Sequence, residues 1–270
     1  MRIADSCAEH EKFKDELTDY VDELRVRAGD NMLSEFSALR KFSKETIDRQ
    51  KIFYIGDSVE LLLPTYLNRL EDFGVISKTN GKPIFHNRYV IPIMDVNGKI
   101  INLVGYNKDA DERYLYGTAK YYERRDTLFG LENLHEAYRC GYGILTEGIT
   151  DTIMLRNVGY SMSFANCGTH EQDVGIRQLN RCRHGVIEFP DRDEAGLKAR
   201  LKWEVKRGVV INTFITFKDV DEMCRASSDN IEVVKQCLDE AISYITSREH
   251  GSRKIGVEKE YTIMQGYREA

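Results

Sequence analysis

Phe13, Leu17, Val21 and Leu24 recur at three- and four-residue intervals with charged residues between them, which predicts an amphipathic helix over the first ~30 residues. The stretch RAGDN breaks it. A second helical stretch is predicted over Leu61 to Leu70, interrupted by Pro64 and ending near Gly74. Beyond it the period changes. In RYVIPIMDVNGKIINLVGY two β-rich runs flank Asn97-Gly98, a pair that favours a type I′ hairpin, so a small mixed or antiparallel unit is predicted before residue ~130.

From Gly141 the pattern alternates. GILTE, YSMSFAN, GVIEF and VVINTFITF read as short strands; DTIMLRNVG, EQDVGIRQLNR and EAGLKARLKWEVKRG read as helices between them, and a last helix spans about Asn230 to Ser247. Such alternation predicts an α/β fold with a mostly parallel sheet flanked by helices. The polar tail from Ser247 to Ala270 suggests no element.

Composition narrows the class. With 270 residues, 41% apolar and 31% charged, and four prolines, the chain is long enough for one large or two small cores and is not of disordered composition. No run approaches the ~18 apolar residues of a membrane span, and MRIADSCAEHEKFKD lacks the apolar centre of a secretory signal, so a cytoplasmic protein with no membrane partner is expected. The formal net charge of −5 means that a nucleic-acid partner would need a local basic surface. Six cysteines include no CxxC pair. Cys167-x-x-His170 with Cys182-x-His184 is unusual spacing for zinc, and reduced thiols in a core are the simpler reading, so zinc is not expected.

Three acidic groups fall where strands should end, which is where open α/β sheets gather their chemistry. Glu147 closes GILTE, Asp191 and Asp193 follow GVIEF, and Asp219 and Asp221 follow VVINTFITF. Residues two apart in an extended segment face the same side, so Asp191 and Asp193 can converge. Converging carboxylates repel unless a positive charge lies between them, and hard oxygen ligands suit Mg²⁺ or Mn²⁺, ions that commonly serve phosphoryl transfer. A lone DxD after a strand is more often a helix N-cap or a solvated loop; the coincidence at three strand ends raises a metal site to an equal alternative, and both readings stay open.

The motifs EGITD, CGT, DRDEAG and DVD, in this order, resemble the successive motifs of the TOPRIM domain in its bacterial-type DNA primase form. Upstream, SKETI, FHNRYVIPIMDVNGKIINLVGY and RYLYGTAKYYERRDTLFGL are similar to primase stretches, so the resemblance runs from about residue 34 to 245. It implies a TOPRIM α/β domain preceded by a smaller mixed α+β lobe. The divisions are an N-terminal helix over 1–30, a basic lobe over 31–138, a catalytic domain over 139–247 and a tail over 248–270. There are departures: no zinc-binding module, Tyr106 for a family arginine, Val220 for a proline, and Arg192 where glycine is usual. The family's helical and helicase-binding regions would not fit after residue 247, which suggests an isolated catalytic core of a phage or plasmid system, or a piece of a larger assembly.

The resemblance implies an RNA polymerase making short primers on single-stranded DNA from ribonucleoside triphosphates, with two or more Mg²⁺ or Mn²⁺ ions. Glu147, Asp191 and Asp193 would be metal ligands, supported by Asp151, Asp219 and Asp221. Gly148 and Gly196 would let the backbone approach ions or phosphates. Arg88, Arg113, Lys120 and Arg124 would line the template or nucleotide track, with Tyr114, Tyr116, Tyr121 and Tyr122 either stacking surfaces or ordinary packing. Arg192 would swing to solvent or reach a phosphate. A replicative helicase or a separate zinc-binding protein would be a further partner. The alternatives are a TOPRIM nuclease or topoisomerase-like enzyme, and an inactive DNA-binding relative.

Overall fold

The computed structural model describes residues 2–30, 32–124, 127–167, 174–194, 205–213, 216–247 and 256–262. It divides into two compact units, residues 1–122 and 123–270.

In the first unit, helices α1 (Arg2–Ala28), α2 (Leu33–Arg40) and α3 (Lys44–Arg49) precede an antiparallel sheet of β1 (Phe53–Ile55), β2 (Arg88–Met94), β3 (Ile100–Tyr106) and β4 (Tyr114–Tyr116), in that spatial order. The period-four apolar stripe becomes the buried face of α1: Phe13, Leu17, Tyr20, Val21 and Leu24 are each at most 1% exposed. They join Phe53, Ile55, Val90 and Leu103 in one core, so α1 covers one face of the sheet. Each such side chain contributes about 1.5–3 kcal/mol by leaving water. The opposite face carries a tyrosine on every strand, with Tyr54 opposite Tyr89, Tyr89 opposite Tyr106 and Tyr106 opposite Tyr114. Phe36 of α2 seals the middle of that row, stacking on Tyr89 at 4.3 Å between ring centres.

Two local expectations fail. Residues 61–70 form no α-helix: short 3₁₀ turns at Ser58–Leu61 and Pro64–Tyr66 replace it, because Pro64 supplies no N–H and starts a turn instead. The β2–β3 hairpin exists, but its turn is not type I′. Gly98 is left-handed at φ 76° while Asn97 is not among the residues with positive φ. Asp95 accepts from the backbone N–H groups of Asn97 and Lys99 at 2.9 and 3.1 Å, and this side-chain bracket selects the other turn.

The second unit is the predicted parallel α/β structure. Its strands are β5 (Tyr142–Thr146), β6 (Ser163–Ala165), β7 (Gly185–Phe189), β8 (Arg207–Asn212) and β9 (Gly256–Thr262), ordered β6-β5-β7-β8-β9 with every pairing parallel. The helices are α4 (Leu134–Cys140), α5 (Ile149–Asn157), α6 (Val174–Leu179), α7 (Val220–Ala226) and α8 (Ser228–Thr246). GILT and GVIEF are wholly buried, as strands of a covered parallel sheet must be. The tail contributes β9, an element its polar sequence did not suggest. The helix predicted over 194–208 lies mainly outside the described residues, and its last two residues belong to β8. Among the described residues, no helix is long and apolar enough to cross a membrane.

Candidate active site

The register aligns Thr146 with Phe189, so the carboxyl ends of β5 and β7 are level, and β8 runs beside β7. From these ends the chain delivers its acidic residues. Asp151 lies in the first turn of α5, Asp191 two residues beyond β7, and Asp219 at the N-cap of α7, where its Oδ1 accepts from Glu222 N–H at 2.7 Å. One carboxylate oxygen from each of Asp151, Asp191 and Asp219 lies within 4.8 Å of the others. The N-cap alternative therefore holds for Asp219 without removing it from the cluster.

Glu147, half-buried just after β5, sits against the same centre. Burial first, then the charges of Asp191 and Asp193, push its carboxyl up to about 7, against the opposing pull of Lys218 and a backbone hydrogen bond from Asp191. Its buried Oε1 has no hydrogen-bond partner among the described residues. Burial, then the charges of Asp219, Asp191 and Asp221, raise Asp151 well above the ordinary carboxyl range. Asp191 is raised too, by burial, with Lys218 offsetting part of the effect. Carboxylates crowded into partial burial at this energetic disadvantage, one with an orphaned oxygen, fit a hard divalent cation.

Asp221 plays a different part. Its side chain is buried and accepts from Arg225 Nε at 2.8 Å, while its backbone N–H donates to Asp151 Oδ1 at 3.1 Å. Gly148 serves the same carboxylate: a Cβ there would lie 2.4 Å from Asp151 Oδ2. Gly196 lies outside the described residues, as do Gly168, Thr169 and His170.

Two basic residues, Lys218 and Arg192, complete the site. Lys218 Nζ lies 3.0 Å from Asp191 Oδ2 and 3.2 Å from Asp193 Oδ2. The signal was the lysine immediately before the last acidic motif, which reads as a solvated charge. Arg192 neither points to solvent nor offers its full fork to a phosphate: Nη1 donates to the Thr213 carbonyl at 2.6 Å, just past β8, and its backbone N–H donates to the Lys218 carbonyl at 2.7 Å. It ties the loop after β7 to the loop after β8.

The other cations are placed as follows. Arg88 is 8% exposed and its Nη1 donates to the carbonyls of Gly105, Glu112 and Arg113, a staple within the first unit. Arg113 is exposed on the approach to β4. Lys120 is exposed, with Glu9 at 3.4 Å and the Tyr121 ring at 5.2 Å. Arg124, in the second unit, donates to the Cys167 carbonyl at 2.7 Å through Nε. Tyr121 packs on Phe13 and His10, and Tyr122 against the same core, so packing accounts for both. Where the family has arginine, Tyr106 accepts from Arg40 Nη1 at 3.3 Å, and the guanidinium stands 5.2 Å from its ring centre.

No family model matches the chain. Its sequence is similar to curated proteins named DNA primase: 27% identical over 200 residues to that of Thermotoga maritima, covering 68% of this chain and 35% of the relative, and 30% over 140 residues to that of Rickettsia felis, covering 50% and 24%. The chain thus spans about a quarter to a third of these relatives. Among solved structures, the zinc-binding and RNA polymerase domains of the Aquifex aeolicus primase align with a TM-score of 0.68 at 23% identity, over 84% of this chain and 62% of that one. A DnaG primase catalytic domain bound to single-stranded DNA aligns with 0.70 at 19%, over 87% and 82%. By sequence the chain is similar to part of the bacterial DNA primases, and its fold has the architecture of primase catalytic cores.

Proposed function

We propose that the chain is a primase catalytic core, which joins ribonucleotides into short primers on single-stranded DNA. The observation that carries this is the meeting of Asp151, Asp191 and Asp219 at the ends of parallel strands, in the fold of primase cores. The single-stranded DNA bound to one structural relative supports the choice of template.

Asp151, Asp191 and Asp219 would hold a divalent ion, Mg²⁺ or Mn²⁺, with Glu147 and Asp193 beside them for a second. Such ions, when bound, neutralise the phosphates of an incoming nucleotide and favour attack by a 3′ hydroxyl. The chain's own part is to keep these carboxylates converged. Gly148 leaves room for Asp151, the Asp221 backbone fixes its angle, and Arg192 locks the two loops together. Arg113, Lys120 and Arg124 supply exposed cations for phosphates of template or nucleotide, and Arg88 shapes the strand ends that present Arg113. A helicase or a zinc-binding protein would act as a partner that raises or directs this synthesis.

The test is incubation with single-stranded DNA, labelled ribonucleotides and Mg²⁺ or Mn²⁺. Short labelled products that vanish in Asp191→Ala and Glu147→Ala support the proposal. Products made equally well by those variants would overturn it, and loss of labelled DNA without nucleotides would assign a nuclease instead.

A further inference from the structure

Lys218 occupies the place that the acidic pair leaves for a cation. Its ammonium bridges Asp191 Oδ2 and Asp193 Oδ2 at 3.0 and 3.2 Å, and its charge also acts on Glu147. The bridge is built into the backbone. The Lys218 carbonyl accepts from Arg192 N–H between the two aspartates, its own N–H donates to Glu222 Oε2 at 2.9 Å, and the next residue caps α7. The lysine is therefore fixed at its root and free only along its stem, whose side chain is 52% exposed. An ammonium has no acceptor sites and cannot share a carboxylate oxygen closely with a divalent ion, since two positive charges at such separations repel.

We propose that Lys218 is a tethered counter-ion that stabilises the Asp191–Asp193 pair while no metal is bound and must swing off it when a divalent ion enters. The proposal deepens the primase reading and rests on its metal site. It makes Lys218 a positioning residue with two effects of opposite sign. In the metal-free chain it relieves repulsion between carboxylates, and during metal binding it competes. The chain then tolerates an acidic cluster without a permanent metal, at the expense of affinity. Once displaced, the ammonium remains anchored one residue from Asp219.

The test is Mn²⁺ binding by the full chain, followed through the resonance of free Mn²⁺, in the native protein, Lys218→Met, Lys218→Arg and Asp191→Asn. Lys218→Met is expected to bind Mn²⁺ about two- to fivefold more tightly, since a partly exposed pair of this kind is worth a several-fold change, and Lys218→Arg to stay near the native value. Without metal, Lys218→Met should also melt lower than the native chain. Acylation of Lys218 in the unaltered protein gives a second readout that needs no variant: its modification should rise several-fold on adding Mn²⁺. Equal or weaker Mn²⁺ binding by Lys218→Met, or acylation unchanged by the metal, overturns the proposal. If Asp191→Asn binds Mn²⁺ as the native chain does, or the native chain binds none, the metal site itself fails; if binding depends on Asp191 but not on Lys218, only the lysine's role does.

Discussion

The backbone N–H of Asp221 donates to Asp151 Oδ1 at 3.1 Å, so the first turn of one helix sets the angle of a carboxylate carried by another. Asp221 is itself held by its ion pair with Arg225. Arg225→Met would leave a buried carboxylate without its cation, which should destabilise the chain by about 2–3 kcal/mol in urea denaturation. Because Asp221 brackets Asp151, the same variant should bind Mn²⁺ more weakly. Full stability with weakened metal binding would contradict the structural part assigned to this pair.

Gly148 has an ordinary extended backbone, φ −97°, so alanine there meets no backbone strain. Its methyl group would instead collide with Asp151 Oδ2. Gly148→Ala should therefore lower Mn²⁺ affinity at least about tenfold and also cost about 1–3 kcal/mol of stability, since the displaced carboxylate is buried and held by the Asp221 N–H. Calorimetric titration beside a melting curve separates the two effects.

Glu147 supplies a pH dependence with a definite sign. Its carboxyl is raised from 4.5 to about 7 in the folded chain, chiefly by burial. Between those values the folded chain keeps a proton that the unfolded chain has lost, so stability falls as pH rises through that window. Asp151 and Asp191 are shifted in the same direction. The metal-free melting temperature should drop between about pH 5 and pH 8, and saturating Mn²⁺ should counter the drop, because it stabilises the ionised carboxylates. Glu147→Gln should shallow the metal-free slope; an unchanged slope would assign it to other groups.

Helix α1 is a structural part of the first unit and not an appendage. Phe13 lies in its core, edge-on to Phe73 and Tyr121. Phe13→Ala should cost about 3–5 kcal/mol, measured by denaturant unfolding. A loss below about 1 kcal/mol would mean that the helix is loosely attached.

The parallel sheet was legible because its strands are short, wholly apolar and separated by helical periods. The site was legible only in part. Glu147, Asp151, Asp191 and Asp219 stand at strand and helix ends that periodicity locates, but which carboxylates converge depends on register and side-chain direction, which no spacing fixes. Lys218 and Arg192 were hidden for a related reason. A lone cation in a loop reads as solvated, and only the fold turns one towards two aspartates and the other towards the Thr213 carbonyl. The turn at Asn97-Gly98 failed more locally, since Asp95 outweighed the usual preference of that pair. The β9 strand was missed because a polar sequence can still pair along a sheet edge through its backbone.

The all-parallel order β6-β5-β7-β8-β9 also bears on how the chain is made. Parallel neighbours cannot form as local hairpins; each pairing waits for a crossover to be synthesised and docked, which makes such topologies slow to assemble. Strand β5, which precedes Glu147, leaves the ribosome well before β8, which precedes Asp219, so the acidic centre does not exist on any early fragment. A nascent chain that stops short of Asp219 would therefore carry some of the carboxylates but not the site.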